Sequence, residues 1–326
     1  MFTLALTGDV MLGRGVNEAL HHLRPEEPWG DTLPLLLAAD LRVINLECAL
    51  TASTRPWMRT PKVFHFRANP AAVRVLQAAR IDACALANNH TLDYEETGLL
   101  DTLACLDATG IGHAGAGKDA AAAAQPCLLP GTLALLSFTA NEPDWAAGPD
   151  HPGINYLPTS LAPAVLDRVS AASTTARAAG AETILFSNHW GPNMLLRPSV
   201  LFQEFAHAVL DLGADIYYGH SAHLVQGIEI YRGKPILYDT GDYLDDYAID
   251  PDLHNDWSFL FSVSLENRVL RRLELFPVTL TYARVQRAVG TGREAMLARM
   301  EALSAEFGTA LVRREDHLLF EPPPSG

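Results

Sequence analysis

Phe2-Thr3-Leu4-Ala5-Leu6-Thr7 runs directly into Gly8-Asp9-Val10-Met11-Leu12-Gly13-Arg14, a β-rich segment that delivers a carboxylate at its C-terminal end. Short apolar runs of the same character recur at residues 41–46, 81–87, 132–138, 182–187 and 215–218. Helical periods at residues 69–80, 95–109, 161–179 and 199–212 lie between several of them. The last two end at Gly180 and Gly213, which read as the glycines that close a helix in a left-handed turn. Strand, loop and helix in alternation predict an α/β fold whose strands are largely buried.

Beyond Gly219 the rhythm changes to strands at residues 224–231, 235–239, 258–266 and 269–279, joined by tight turns such as Tyr231-Arg232-Gly233-Lys234. These predict antiparallel strands, as a second sheet or as one edge of a mixed sheet. Residues 1–282 are expected to form the main domain. Residues 283–326 are expected to form a helical extension packed on it, with the peripheral tail Glu321-Pro322-Pro323-Pro324-Ser325-Gly326.

Polar residues fall at telling places. Asp9 follows the first strand, and Glu47 follows the second in Asn45-Leu46-Glu47. Asn88-Asn89-His90 follows the third, and two later strands end in Asn188-His189-Trp190-Gly191 and Gly219-His220-Ser221-Ala222-His223. Parallel strands deliver their C-terminal ends to one edge of a sheet, where such folds place their sites. Any one of these residues alone reads as a turn former or a satisfied side chain. Together, carboxylate, amide and imidazole at five strand ends predict a site for one or two divalent metals, with Mn, Fe or Zn as the expected ions. Trp190 reads as an apolar wall of that site or as packing. Arg14, just past Asp9, reads equally as half of a surface ion pair or as a fork suited to a substrate carboxylate or phosphate.

Composition narrows the function. An apolar fraction of 48% against 19% charged residues supports a large core and excludes disorder for most of the chain. A net charge of −14 is the wrong sign for coating nucleic acid, so no nucleic-acid partner is expected. No apolar run is long enough for a transmembrane segment, and the first residues show no basic segment or signal cleavage site, so the expected location is cytoplasmic. The four cysteines have no C-x-x-C pair and form no disulfide framework, and Cys84 and Cys105 in apolar stretches read as core thiols.

Taken in order, Gly8–Arg14, Asn45-Leu46-Glu47, Asn88-Asn89-His90-Thr91-Leu92-Asp93-Tyr94, His189-Trp190-Gly191 and Gly219-His220-Ser221-Ala222-His223 resemble the bacterial capsule-synthesis (CapA, poly-γ-glutamate) proteins, over roughly residues 1–265. That family is similar to the calcineurin-like metallophosphatases. The resemblance therefore implies two packed mixed β-sheets flanked by helices, a metallophosphatase-like four-layer sandwich. It also implies that Asp9 and His223 bind one metal, that Asn89, His189 and His220 bind the other, and that Glu47 bridges them. His90 would be the general acid or a transition-state donor rather than a ligand, with its ring oriented by Asp93. Two such ions ~4 Å apart can share a hydroxide and clamp a phosphoryl group.

The chain departs from the phosphatase pattern at several points. Asp-x-His is here Asp9-Val10-Met11, which removes an imidazole from the first metal and leaves a gap for a group such as His22 or Asp242. Glu47 stands where phosphatases carry an aspartate, and Gly-His-x-His has one extra residue. The function expected is a metal-dependent hydrolase acting on a phosphoester or other small anionic substrate. The alternative is a non-catalytic or amide-acting accessory protein of poly-γ-glutamate or capsule biosynthesis.

Overall fold

The computed structural model describes residues 1–323. Its frame is one mixed sheet of ten strands and another of six. The first is built around β1 (Phe2–Val10), β2 (Leu41–Leu46), β3 (Ala83–Ala85) and β4 (Gly112–Ala114), which run parallel in that order. The second is built around β5 (Leu133–Thr139), β6 (Thr183–His189), β7 (Ile216–His220) and β8 (Lys234–Leu237), also parallel neighbours. In the ten-stranded sheet, β1 also takes β9 (Asp242–Leu244) in parallel and β10 (Trp257–Glu266) antiparallel, and β10 forms a hairpin with β11 (Val269–Thr281).

Side-chain alternation explains the layering. Leu4, Leu6, Leu41 and Val43 point from the first sheet into one apolar cluster with Leu133, Leu135, Leu185, Ile216 and Tyr218 of the second. The residues between them face outward. Ala5 and Ile44 meet Leu76 and Leu99 of the helices Val73–Ala78 and Glu95–Thr109. Leu136, Ile184, Phe186 and Tyr217 meet Val169 and Phe205 of the helices Pro163–Ala178 and Val200–Asp211. Because the central strands β2, β3, β5, β6 and β7 bury both faces, they read as largely apolar runs in the sequence. The result is the expected sandwich of helices, sheet, sheet and helices.

One irregularity sets the geometry of the edge. Leu6 pairs with Val43, but the next β1–β2 pair is Asp9 with Asn45, three residues advanced against two. Such a bulge re-aims every side chain beyond it. Without it Gly8 would face the second sheet; with it Asp9 does, alongside Asn45 and Glu47. The backbone groups freed by the bulge are not left bare. The Tyr218 hydroxyl, reaching across from β7, donates to the Thr7 carbonyl at 2.7 Å and accepts the Asn45 N–H at 3.1 Å. Gly8 is required here, since a Cβ would lie 2.2 Å from the Gly241 carbonyl oxygen.

The structure differs from the sequence reading at short elements. The expected helix over residues 69–80 is a 3-10 turn, Pro70–Ala72, followed by the shorter helix Val73–Ala78. Beyond residue 283, Arg284–Arg287 and Leu318–Phe320 pair with β11, and Met296, Leu297 and Met300 of the helix Gly290–Ala305 enter the inter-sheet core. The last three residues of the expected tail, 324–326, lie outside the described residues. No helix among the described residues is long and apolar enough to cross a membrane.

Tyr218→Phe keeps the ring and removes only the bridge. It is expected to cost roughly 1–3 kcal/mol for each buried backbone group left unpaired. Urea denaturation measures this, and a loss under about 0.5 kcal/mol, the range of an ordinary surface change, would refute the role given to the hydroxyl.

Candidate metal centre

The bulge and the common strand direction gather the expected residues between the C-terminal ends of the two sheets. Asp9 pairs in register with Asp242 of β9, and His189 of β6 with His220 of β7. Two groups of donor atoms result, each with its members within 4.8 Å of one another: Asp9, His189 and His220, and Asp9, Glu47, His223 and Asp242. His220 Nδ1 is 3.6 Å from Asp9 Oδ1, and His189 Nε2 is 3.7 Å from Glu47 Oε1. His189 Nδ1 and His220 Nδ1 are 2.8 Å apart.

A second layer fixes these side chains. Asn45 Nδ2 donates to Asp9 Oδ1 at 2.7 Å, and Asn88 Nδ2 donates to Asn45 Oδ1 at 3.0 Å. Asn88 Oδ1 in turn accepts the His90 N–H at 2.9 Å. Ser187 Oγ is hydrogen-bonded to His220 Nε2 at 2.8 Å, and Asp242 Oδ1 accepts from His223 Nδ1 at 2.8 Å. Partners of this kind set which ring nitrogen of a histidine is free to act as a donor to a cation. The extra residue of Gly219-His220-Ser221-Ala222-His223 is taken up by positive φ at Ser221 and His223 (+121° and +58°).

His90 lies beside this cluster, its Nε2 3.9 Å from Glu47 Oε1. Its Nδ1 is 2.5 Å from Asp93 Oδ2, and the Phe66 ring stacks on the imidazole at 3.8 Å. Asp93 also accepts the Phe66 N–H, and the Lys62 ammonium lies 3.4 Å from its Oδ1. Lys62 donates to the Asn89 carbonyl as well, which pins the Asn89–His90 peptide.

The buried atoms here without a hydrogen-bond partner among the described residues include Asp9 Oδ2, Glu47 Oε1, Asn89 Oδ1, His189 Nε2 and Asp242 Oδ2. Buried polar atoms are nearly always paired, so unpaired donors from five separate elements are out of the ordinary. Carboxylate, amide and imidazole donors together suit a divalent cation of the Mn, Fe or Zn kind.

Residues 3–247 match the bacterial capsule synthesis protein family PGA_cap. The chain belongs to this family. It is 34% identical to a probable polyglutamine synthesis accessory protein of Mycobacterium tuberculosis, over 97% of this chain and 95% of that protein. To the capsule biosynthesis protein CapA of Bacillus anthracis it is 27% identical, over 75% of this chain and 60% of the relative. Among solved structures, TT1561 of Thermus thermophilus aligns with a TM-score of 0.45 at 14% identity, over 82% of this chain and 96% of that one.

Of the two groups named for the gap at Met11, Asp242 lies in one donor group with Asp9, Glu47 and His223, while His22 lines a separate surface cavity with Leu23 and Tyr282. Asp9 belongs to both donor groups, where the resemblance had assigned it to one. Trp190 is packing: it is buried, stacks on Phe202 at 4.4 Å and donates to the Tyr238 carbonyl. Arg14 borders the cavity above His90 and His223, with its Nε 3.3 Å from Asp246 Oδ2. Asn45 and Asn88 stand inside the quoted motifs but their roles were not visible there. Ser187 and Lys62 carried no signal, Lys62 because its loop has no periodicity.

Burial dominates the titration of this capsule-family site. It pushes Glu47 up to about 8 and Asp93 up to about 7, and it raises Asp9 with Glu47 and Asp242 adding to the effect. The same burial lowers His90 and His189, and takes His220 down to about 3. For His223, burial acts against the charge, but Asp242, Glu47 and Asp9 outweigh it and the net shift is upward. Below the ordinary histidine value of 6.5, the neutral histidines and the protonated carboxyls pull stability in opposite directions. Above it, the folded state holds protons on Glu47, Asp93 and His223 that the unfolded chain has released, so stability falls as pH rises. Chelator-treated protein is therefore expected to lose melting temperature between about pH 6.5 and 8. A flat or rising Tm across that window would contradict this balance.

Proposed function

We propose that the chain is a metal-dependent hydrolase of metallophosphatase type, acting on a phosphoester or other small anionic substrate. The observation that supports it is the set of five unpaired buried donors, which a pair of cations would satisfy. Asp9, Glu47, Asp242 and His223 would hold one ion. Asp9, His189 and His220 would hold the other with Asn89, and Glu47 would face both. Divalent ions there would acidify water and neutralise the charge of an anionic substrate.

The protein's own groups supply the rest. Glu47 and His223 would lose their protons on metal binding, so three ionised carboxylates and neutral imidazoles around two divalent ions would leave a small net positive charge to meet an anion. Asp93 orients the His90 ring through Nδ1, and Phe66 shields one face from water. An anionic substrate beside the ring would favour the imidazolium that burial disfavours, so that His90 could deliver a proton to the leaving oxygen, while Arg14 at the cavity wall steadies the substrate.

The names of the relatives favour a second reading, in which this site supports polymer or capsule synthesis without turnover, or acts on an amide. Hydrolysis of p-nitrophenyl phosphate and bis-p-nitrophenyl phosphate by Mn²⁺-loaded protein separates the two. Two bound ions with no turnover of either ester would favour the accessory role.

Two variants sharpen the assignment. His90→Ala is expected to retain its metal while losing roughly 10²–10⁴-fold in rate, the range of acid–base assistance; equal loss of metal and rate would make His90 a ligand. Asp242→Asn is expected to lower metal content after reloading and desalting, read by mass spectrometry, whereas His22→Asn is not. Unchanged metal content in Asp242→Asn would remove Asp242 from the donor set.

A further inference from the structure

The cavity above the donor cluster is far larger than the head of a phosphoester requires. It measures about 600 Å³ and has Asn89, His90 and His223 at its base. Cavities of this size bury most of an organic molecule, and a bare anion would leave the space to water.

Its walls indicate what that molecule is. Phe64 is 57% exposed and borders the cavity. Its ring lies 24° from parallel with Phe66 at 6.3 Å, and Phe66 lies 20° from parallel with His90 at 3.8 Å. Three rings thus step from solvent down to the proposed acid. Tyr247 sits 5.7 Å from Phe66, and the Arg14 guanidinium lies 5.5 Å from the centre of Phe66 and 5.6 Å from that of Phe64. Aromatic faces and a guanidinium plane are both surfaces on which a flat π system stacks.

Charge argues against a second anionic group instead. The two cations of the cavity are already paired, Arg14 with Asp246 at 3.3 Å and Lys62 with Glu142 at 3.2 Å and Asp93 at 3.4 Å. The backbone marks the same place. Arg14, Met194 and His223 all border the cavity with φ of +49°, +61° and +58°. Side-chain-bearing residues seldom hold that conformation, and where they do they concentrate at working sites.

Resting on the hydrolase reading, we propose that the substrate is an organic anion whose charged head meets the donor cluster and whose body is a planar apolar group stacked on Phe64, the exposed end of that row of rings. The test needs no turnover. Phenylphosphonate and methylphosphonate share one head and differ by a ring, and calorimetry on the full chain reloaded with Mn²⁺ compares them. Wild type is expected to bind phenylphosphonate roughly tenfold more tightly. Phe64→Ala, at an exposed position, should erase that preference while leaving methylphosphonate affinity within about twofold; Phe64→Tyr should keep it. Equal binding of the two by wild type, or a preference that survives Phe64→Ala, overturns this inference and leaves the metal reading standing. Failure of both phosphonates to bind overturns the metal reading and this inference with it.

Discussion

The single extra residue of β1 between Leu6 and Asp9 is the constraint on which the rest of the molecule depends. Up to Leu6 the strand is an ordinary central strand with its even-numbered side chains in the inter-sheet core. Beyond the bulge the parity reverses, and a carboxylate enters the space that an alternating strand would have given to glycine. The reversal is sustained from both sides. Tyr218 fills the opened ladder from the second sheet, and the Gly241 carbonyl presses on Gly8 from the start of β9, accepting the Asp9 N–H at 2.8 Å. The hydroxyl that closes the gap therefore also fixes the spacing of the sheets immediately beneath the donor cluster.

Burying three carboxylates and three imidazoles in one small volume works against folding, because each charged form loses its hydration. The amide chain from Asp9 through Asn45 and Asn88 to the His90 backbone offsets part of that cost and holds the groups still. What it does not do is pair every donor. Stability and binding are in tension at this edge, and the fold carries the tension on strand residues at Asp9, His189, His220 and Asp242 and on the connections just past strand ends at Glu47, Asn89 and His223.

The parts of this arrangement that were legible in the sequence are those with long-range regularity. Strands buried on both faces announce themselves as apolar runs, and the residues after them as a rim, so Asp9, Glu47, Asn89, His189 and His220 could be named before any coordinates. Asp242 could be raised only as one of two ways to fill a gap, because its strand spans just Asp242–Leu244 and lies in a stretch dense in acids and tyrosines. Its role comes from pairing with Asp9 of β1, a partner from the opposite end of the sequence. The stretch carrying Lys62, Phe64 and Phe66 was silent for a different reason. Its strand pairing is confined to its ends, where Ala49–Leu50 pairs with Arg67–Ala68, and between them it is held by single contacts such as Lys62 with the Asn89 carbonyl and the Phe66 N–H with Asp93.

The pairing of β1 has a consequence for how the chain reaches its native state. β1 leaves the ribosome long before its antiparallel partner β10, at residues 257–266, and before its neighbour on the bulged side, β9, at residues 242–244. Contacts this distant in sequence close late and slowly. During synthesis, β1 and β2 can pair while the other edge of β1 stays open, an apolar strand edge of the sort that invites association with other chains. The donor cluster is thus completed only after residues 242–244 have been synthesised, and until β9 and β10 arrive that edge of β1 has no strand to cover it.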